Sequence, residues 1–232
     1  MRDVTLTFDN GPDEGVTPAV LDILAREQIA ATFFVLGDKL EDRRNRALCE
    51  RAVGEGHWVG NHTYSHATPL GNLDEPGVAE AEIGRTQALI GELAGKEKLF
   101  RPFGGGGVVG THLLSEAALH YLTANRFTCV LWNVVPRDWE ETETWPERAM
   151  AMMAHTAWSL VVIHDVPSGA MLHLPRFIDK VRAAGGTFRQ DFPPECVPLR
   201  SGRAALPMVP FVTPSSGKLA ASIGGEDALR NV

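Results

Sequence analysis

The stretch Val4-Thr5-Leu6-Thr7-Phe8, followed at once by Asp9-Asn10-Gly11-Pro12, sets the pattern for the whole chain. Its first five residues are the apolar, β-branched and aromatic types typical of a buried strand, and Gly-Pro then turns the chain. An acid and an amide therefore stand at the carboxyl end of a strand, which is where an α/β barrel carries its catalytic residues. Asp-Asn-Gly-Pro is also turn-prone by composition, so this stretch alone does not separate a site from a turn.

The composition is that of an ordinary globular protein. Of 232 residues, 44% are hydrophobic and 22% are charged, which suits one α/β domain or one domain with a tail. The net charge of -7 argues against a nucleic-acid partner and against an anionic membrane surface, because both bind basic proteins. No apolar run reaches membrane-spanning length. We therefore expect neither a nucleic acid nor a membrane as partner.

The three cysteines, Cys49, Cys129 and Cys196, have no spacing typical of a metal site and cannot all pair with one another. Buried, reduced thiols are the simpler interpretation. No secretory signal precedes the first strand in the sequence given. Together these observations predict a cytoplasmic protein.

Strand-like and helix-like segments alternate along most of the chain. The predicted strands are Val4–Phe8, Ile29–Leu36, His57–His62, Leu99–Arg101, Phe127–Val134, Ser159–His164 and Thr187–Phe188. The predicted helices are Pro18–Gln28, Asp42–Gly54, Pro76–Leu93, Thr111–Asn125, Trp145–Thr156 and Pro175–Ala184. Such alternation indicates a parallel sheet covered by helices. The predicted fold class is α/β, a distorted, incomplete (β/α) barrel of about seven parallel strands; a doubly wound open sheet is the alternative, although the dinucleotide-binding glycine motif is missing after the first strand.

Residues 191–232 differ from the rest because they are rich in Pro, Gly and Ser and show no regular period. We predict a barrel domain over residues 1–190, which carries the catalytic site, and a C-terminal tail over residues 191–232. The tail either wraps around the domain or is partly disordered.

The unusual polar residues fall at or just after the carboxyl ends of predicted strands. They are Asp9, Asn10, His62, His66, Arg101, Asp138, Trp139, His164 and Asp165. In a barrel these positions converge on one face, and this convergence favours an enzyme.

His62 and His66 are four residues apart, so on one helical turn both imidazoles would reach a single metal ion. An oxygen of Asn10 would complete a set of three ligands and leave positions for water and substrate. The chain has eight histidines, so such a pair also arises by chance.

Three further features have both a structural and a functional interpretation. Arg101 at a strand end more often pairs with a carboxylate than with substrate, and here both roles are open, since Asp9 needs an orienting partner. His164 is either a satisfied core histidine or an acid that Asp138 or Asp165 tunes. The glycines from 104 to 107 are not followed by Gly-Lys-Ser/Thr, which disfavours a nucleotide site, whereas their N–H groups suit an oxyanion.

Five motifs in the right order resemble those of the polysaccharide deacetylase family, also called the NodB-homology hydrolases. The motifs are Thr7-Phe8-Asp9-Asn10-Gly11-Pro12, Asn61-His62-Thr63-Tyr64-Ser65-His66, Phe100-Arg101-Pro102-Phe103-Gly104, Trp132 through Asp138-Trp139, and Val162-Ile163-His164-Asp165. The resemblance covers about residues 4 to 166. It implies a distorted (β/α) barrel with fewer than eight strands, in agreement with the alternation of elements.

The resemblance also implies a reaction, the metal-assisted removal of an N- or O-acetyl group from a sugar. By their places in the motifs, Asp9 is the expected general base and His164 the expected general acid, oriented and tuned by Arg101 and Asp138. The expected metal ligands are Asn10, His62 and His66, and the expected substrate-binding residues are Phe103, Gly104, Trp139 and Val162.

The chain departs from the family pattern at three positions. Asn10 stands where the family has a metal-binding Asp, so the metal site loses one negative charge. Val135 replaces the first Asp of the fourth motif. Gly104 replaces a Tyr of the third motif but keeps the backbone N–H.

The sequence therefore predicts a metal-dependent hydrolase that removes an acetyl group from an N-acetylated sugar or oligosaccharide, with zinc as the expected divalent metal. A metal-independent amidohydrolase of a cyclic ureide or imide is the first alternative, motivated by Asn10. A catalytically inactive carbohydrate-binding relic is the second. The expected partner is a small-molecule or oligosaccharide substrate, and a homo-oligomer is left open.

Overall fold

The computed structural model describes residues 2–214, in which strands and helices alternate as predicted. The strands are β1 (Arg2–Asp9), β2 (Thr32–Val35), β3 (Trp58–Asn61), β4 (Lys98–Phe100), β5 (Leu114–Ser115), β6 (Phe127–Cys129), β7 (Trp158–His164), β8 (Gly186–Arg189), β9 (Leu199–Arg200), β10 (Arg203–Ala204) and β11 (Val212–Thr213). The helices are α1 (Thr17–Glu27), α2 (Arg43–Gly54), α3 (Arg85–Ile90), α4 (Glu116–Ala124), α5 (Trp145–Met153) and α6 (Leu174–Ala183).

Within the described residues, the main sheet has nine strands. Eight of them lie in the order β10-β9-β6-β4-β3-β2-β1-β7, and β8 pairs with the amino-terminal half of β1. From β6 through β4, β3, β2 and β1 to β7, each pair of neighbouring strands is parallel. The segment that follows β6 runs beside β7, and its Val134 forms a parallel bridge with Val161 of β7. The two ends of this row of strands therefore meet, and the sheet closes on itself. The predicted fold class, an incomplete parallel barrel, is confirmed.

Strand β1 shows how the sequence builds this barrel. Side chains alternate between the two faces of a strand, and one face of β1 carries Val4, Leu6 and Phe8, which are buried in one apolar cluster with residues of α1 and α6. The other face carries Thr5, Thr7 and Asp9, all buried. A polar row therefore faces away from the helices, and its last member stands at the carboxyl end of the strand.

The helix predicted from Pro76 to Leu93 is not one regular helix. It consists of a π-turn (Glu80–Gly84), α3, and a 3₁₀ turn (Gly91–Ala94). The helix predicted from Thr111 also begins later, because a 3₁₀ turn and β5 precede α4.

The first part of the predicted tail packs onto the barrel. Strands β9 and β10 extend the sheet beyond β6, and Phe192, Cys196 and Val197 are buried. The residues from 191 to 214 therefore wrap the domain, one of the two arrangements that the sequence left open. The domain boundary at residue 190 stays a prediction, and residues 215–232 lie outside the described part. Within residues 2–214, no helix combines the length and the apolarity that a membrane span requires.

Gly60 in β3 gives a test of the packing. A Cβ atom there would lie 2.6 Å from ring carbons of Phe34 and 3.1 Å from the Cβ of Leu99. We expect Gly60→Ala to lower the free energy of unfolding by about 1–3 kcal/mol, because the core has no room for the methyl group. Urea unfolding measures this.

The matched control is Gly54→Ala at the end of α2, where nothing lies within 4 Å of the added Cβ. The free energy of unfolding of this variant should rise by about 0.4–1 kcal/mol, because alanine reduces the entropy of the unfolded chain. Equal stability of the two variants would contradict the close packing at Gly60.

Candidate active site

The carboxyl ends of the strands surround a cavity of about 280 Å³. All the site residues predicted from the sequence line it, except Arg101 and Asp138. Those two side chains are fully buried and act on residues of the cavity wall through hydrogen bonds.

Asp9 is a buried carboxylate that Arg101 holds in place. Its Oδ1 accepts a hydrogen bond from Nη1 of Arg101 at 2.8 Å, and its Oδ2 lies 3.5 Å from Nε2 of His62. Burial would raise the pKa of Asp9, but the positive charge of Arg101, together with the nearby His62 and His164, outweighs burial and holds the pKa below its usual range. Asp9 is therefore ionised at neutral pH, the state that a general base requires.

The guanidinium of Arg101 is fixed on all sides. Nη1 also donates to Oγ1 of Thr7 at 2.7 Å, and Nε and Nη2 donate to the carbonyl oxygens of Val130 and Leu131, each at 3.2 Å. The guanidinium carbon lies 4.1 Å from the centre of the Phe34 ring. Thr7 is not among the predicted site residues, although the alternation of side chains along β1 places it on the same face as Asp9.

His164 stands directly opposite Asp9 in the parallel register of β1 and β7. Its Nδ1 bonds Oδ1 of Asp138 at 2.8 Å, and its backbone N–H donates to Oδ2 of the same carboxylate at 2.9 Å. Burial would lower the pKa of His164, but the hydrogen bond and charge of Asp138 outweigh burial and raise the pKa above its ordinary value. His164 therefore stays protonated to a higher pH than an ordinary histidine, which suits a general acid.

Asp165 does not tune His164 through a hydrogen bond, although it is the next residue in the chain. Its Oδ2 accepts from Oγ1 of Thr17 at 2.6 Å, and burial raises the pKa of Asp165 to about 7. A Cβ at Gly11 would lie 2.2 Å from this carboxylate. Of the two acids that the sequence offered as partners of His164, Asp138 is therefore the one that bonds it.

His62 and His66 come together, with ring centres 4.9 Å apart. They do so on a loop and not on the helical turn that their spacing suggested. Nδ1 of His62 donates to the carbonyl oxygen of Arg101 at 2.8 Å, which leaves the lone pair of Nε2 free. Burial lowers the pKa of His62. Burial also lowers the pKa of His66, and repulsion from His62 in its protonated form adds to this effect and brings the pKa of His66 to about 3. Both imidazoles are therefore neutral at pH 7, the form that binds metal ions.

The donor set fits a divalent cation in one specific respect. Oδ1 of Asn10 is buried and has no hydrogen-bond partner among the described residues, and an unsatisfied buried acceptor costs about 1–3 kcal/mol. A cation bound by His62 and His66 would supply the missing partner. Residues 2–214 contain no group of three or more His, Cys, Asp or Glu side chains placed to hold a metal; the candidate third donor, Asn10, is an amide and is not among these residue types.

One wall of the cavity is built from backbone and aromatic rings. A Cβ at Gly104 would lie 2.4 Å from the indole of Trp132, whose Nε1 donates to the carbonyl oxygen of Gly107 at 2.8 Å. Gly107 has φ +83°, and a Cβ there would lie 2.8 Å from Val135. Trp132 and Val135 therefore occupy the space that side chains at Gly104 and Gly107 would need.

The other predicted substrate-binding residues lie beside the polar groups. The Phe103 ring packs on His66 at a tilt of 37° with centres 3.8 Å apart, and the Trp139 ring meets His164 edge-on at 4.9 Å. Val162, almost fully buried in β7, lines the same cavity. The structure thus brings every predicted site residue to one place, while the role of each stays a prediction.

Comparison with known proteins decides the family. The model of the polysaccharide deacetylase family matches residues 1–124. The chain belongs to the polysaccharide deacetylase family. The resemblance inferred from the five motifs is confirmed.

Three relatives show how far the similarity to other members of the polysaccharide deacetylase family extends. A peptidoglycan-N-acetylglucosamine deacetylase of Bacillus cereus is 32% identical over 77% of this chain and 62% of its own length. A chitooligosaccharide deacetylase of Sinorhizobium fredii is 34% identical over 70% of this chain and 71% of its own. The structure of a family 4 acetyl xylan esterase from Clostridium thermocellum, in complex with a cobalt ion, is 28% identical with a TM-score of 0.65, covering 82% of this chain and 88% of that one. The chain spans less than two thirds of the length of the Bacillus cereus relative.

Proposed function

We propose that the protein is a metal-dependent hydrolase that removes the acetyl group from an N-acetylated sugar or short oligosaccharide. The observation that carries the proposal is the position of Asp9 and His164. They stand opposite each other in one strand register, with pKa values shifted apart, beside Asn10 and two neutral imidazoles. Two carboxyl or imidazole groups whose pKa values are pushed apart mark the base and the acid of a site.

In the proposed reaction the residues divide the proton transfers. Oδ1 of Asp9 accepts a hydrogen bond from Arg101, so Oδ2 is the oxygen that takes a proton from water. The water attacks the acetyl carbonyl carbon as it loses this proton. Nδ1 of His164 is bonded to Asp138, so its Nε2 donates a proton to the leaving sugar amine as the carbon–nitrogen bond breaks. Acetate and a free amino sugar result.

Asn10, His62 and His66 would hold the divalent cation, which polarises the carbonyl and acidifies water when bound. We propose zinc, since two imidazoles and one oxygen suit it. The cobalt ion in the Clostridium thermocellum relative supports a metal ion in this fold.

The cavity and the relatives together support the substrate class. About 280 Å³ lies just below the range of ligand pockets, which span roughly 300–1,000 Å³. Both curated relatives are named for deacetylation of an amino-sugar polymer or oligomer. We propose that one acetylated sugar unit enters the cavity and that neighbouring units extend outside it. Neither a nucleic acid nor a membrane is a proposed partner, and a cytoplasmic location stays a prediction of the sequence.

The experiment compares wild-type protein with His66→Ala and with His120→Ala, which removes an exposed histidine of α4 and serves as the matched control. Acetate release from N-acetylchitooligosaccharides and zinc content by elemental mass spectrometry are measured together. We expect about one zinc per chain in wild type and His120→Ala, and at least about tenfold less affinity and activity in His66→Ala.

Treatment with chelator separates the rival functions. Loss of hydrolysis on chelation and its return with zinc would support the proposal. Hydrolysis that survives chelation would favour a metal-independent amidohydrolase, and a cyclic imide would then be the substrate to try. Sugar binding without turnover under any divalent metal would favour an inactive carbohydrate-binding protein.

A further inference from the structure

The loop that carries the two histidines has an unusual backbone. Thr63 has φ +69° and His66 has φ +51°. Positive φ is uncommon for residues other than glycine and is an outlier for a β-branched residue such as Thr63. Such conformations persist only where the surroundings impose them. Something outside the loop must therefore hold it.

Glu82 makes the contacts that meet this need. Its Oε2 accepts hydrogen bonds from the backbone N–H groups of Tyr64 and Ser65, each at 3.0 Å, and its Oε1 accepts from Oγ of Ser65 at 2.8 Å. Hydrogen bonds to a carboxylate are roughly twice as strong as those between neutral groups. One half-buried side chain thus fixes two successive residues between His62 and His66.

Asn61 extends the same attachment. Its Oδ1 accepts from the backbone N–H of Thr63 at 3.0 Å, and its Nδ2 donates to the carbonyl oxygen of Ile83 at 2.9 Å. Three successive N–H groups of the loop are therefore bonded to side chains. Two carbonyl oxygens of the loop are also bonded from outside it: Thr63 accepts from the N–H of Gly37 at 3.0 Å, and Tyr64 accepts from the N–H of Asp38 at 3.1 Å.

Glu82 and Ile83 both belong to the π-turn Glu80–Gly84. Such turns are rare and occur often at functional sites. In this protein the turn brings the Glu82 side chain to the loop and the carbonyl of the next residue, Ile83, to Asn61, the residue directly before the loop. The interruption of the helix therefore coincides with the attachment of the loop.

We propose that Glu82 is a positioning residue, which fixes the loop from His62 to His66 and thereby the relative placement of the two imidazoles. It touches neither the cavity nor the proposed reacting groups. It acts through the backbone of Tyr64 and Ser65. The part of this proposal that concerns cation affinity rests on the proposed function, whereas the part that concerns the loop does not.

Three variants test the proposal. Glu82→Ala removes all three acceptor contacts. Glu82→Gln rescues them, because its amide oxygen can accept both N–H groups and its NH₂ can donate to Oγ of Ser65. Glu80→Ala removes an exposed carboxylate from the same π-turn and is the matched control. Each metal-free variant is titrated with Co²⁺ by absorption spectroscopy, and hydrogen exchange is followed at the amides of Tyr64 and Ser65.

We expect Glu82→Ala to bind Co²⁺ about 10–100-fold more weakly, as for other residues that orient metal ligands, with faster exchange confined to this loop. Glu80→Ala should match wild type in both measurements, and Glu82→Gln should recover most of the loss seen in Glu82→Ala, since it keeps the hydrogen bonds without the charge of the carboxylate. Unchanged exchange and affinity in Glu82→Ala would overturn the proposal, and so would faster exchange spread through the barrel, because that would show a general structural role. If wild type itself binds no Co²⁺, the cation part of the proposed function fails, while exchange at the two amides still decides the role of Glu82.

Discussion

Asp9→Asn should lose nearly all hydrolytic activity, with a fall in kcat of about 10²–10⁴-fold. The amide keeps the size of the side chain and an oxygen for Nη1 of Arg101, but it cannot take a proton from water. The low pKa of Asp9 in the folded protein indicates that the carboxylate form is the working one. Acetate release from an N-acetylchitooligosaccharide measures the effect.

The same substitution also affects stability, which has to be measured separately. Arg101 is fully buried, and Asp9 is its carboxylate partner at 2.8 Å. Removing one charged partner of a buried ion pair lowers the free energy of unfolding by about 3–5 kcal/mol. The hydrogen bonds from Arg101 to Thr7, Val130 and Leu131 offset part of that loss. Urea unfolding and circular dichroism show whether enough folded protein is present for kcat to be interpreted.

The matched control for Asp9→Asn is Asp22→Asn. Asp22 pairs with Arg51 on the surface at 2.6 Å, and its side chain is 69% exposed. An exposed pair contributes about 0–1 kcal/mol, so this variant should keep wild-type activity and nearly wild-type stability. If folded Asp9→Asn retained wild-type kcat, Asp9 would not be the base and the proposed proton transfers would be wrong.

The parts of the site that follow from strand pattern could be predicted from the sequence. The run from Val4 to Phe8 has the residue types of a strand, and so does the run that ends at His164. Parallel strands carry their carboxyl ends to one edge, so Asp9 and His164 had to approach each other once both strands were placed. The structure pairs them directly.

The parts that depend on tertiary contacts could not be predicted. Thr63 disfavours positive φ locally, and hydrogen bonds hold it there: its own bonds with Asn61 and Gly37, and those of the next two residues with Glu82. Glu82 gives no signal because an acidic residue in a predicted helix is ordinarily a solvated one. Strands β9 and β10 have two residues each, too short for any period to appear in the sequence.

Asp138→Asn should move the alkaline limb of the pH–activity profile to lower pH and reduce kcat near neutrality by about 10²-fold or more. Activity requires protonated His164, whose pKa Asp138 raises in the folded protein. Protonation is complete below that raised pKa and is lost as the pH rises through it. Removing the charge of Asp138 lowers the pKa, so the loss occurs at lower pH. The acidic limb, which Asp9 sets, should stay in place.

The hydrogen-bond geometry makes Asp138→Asn more damaging than the loss of a charge alone. The carboxylate accepts two bonds from His164, one from its backbone N–H and one at Nδ1. An amide has only one acceptor oxygen. If that oxygen keeps its hydrogen bond from the backbone N–H of His164, the NH₂ group of the new Asn faces Nδ1. The NH₂ group donates, so it favours an imidazole whose Nδ1 accepts, which is the neutral form. The matched control is Glu140→Gln, an exposed carboxylate paired with Arg137, which should leave both limbs unchanged. An alkaline limb that stays at its wild-type pH in Asp138→Asn would show that His164 is not the group whose protonation limits the reaction.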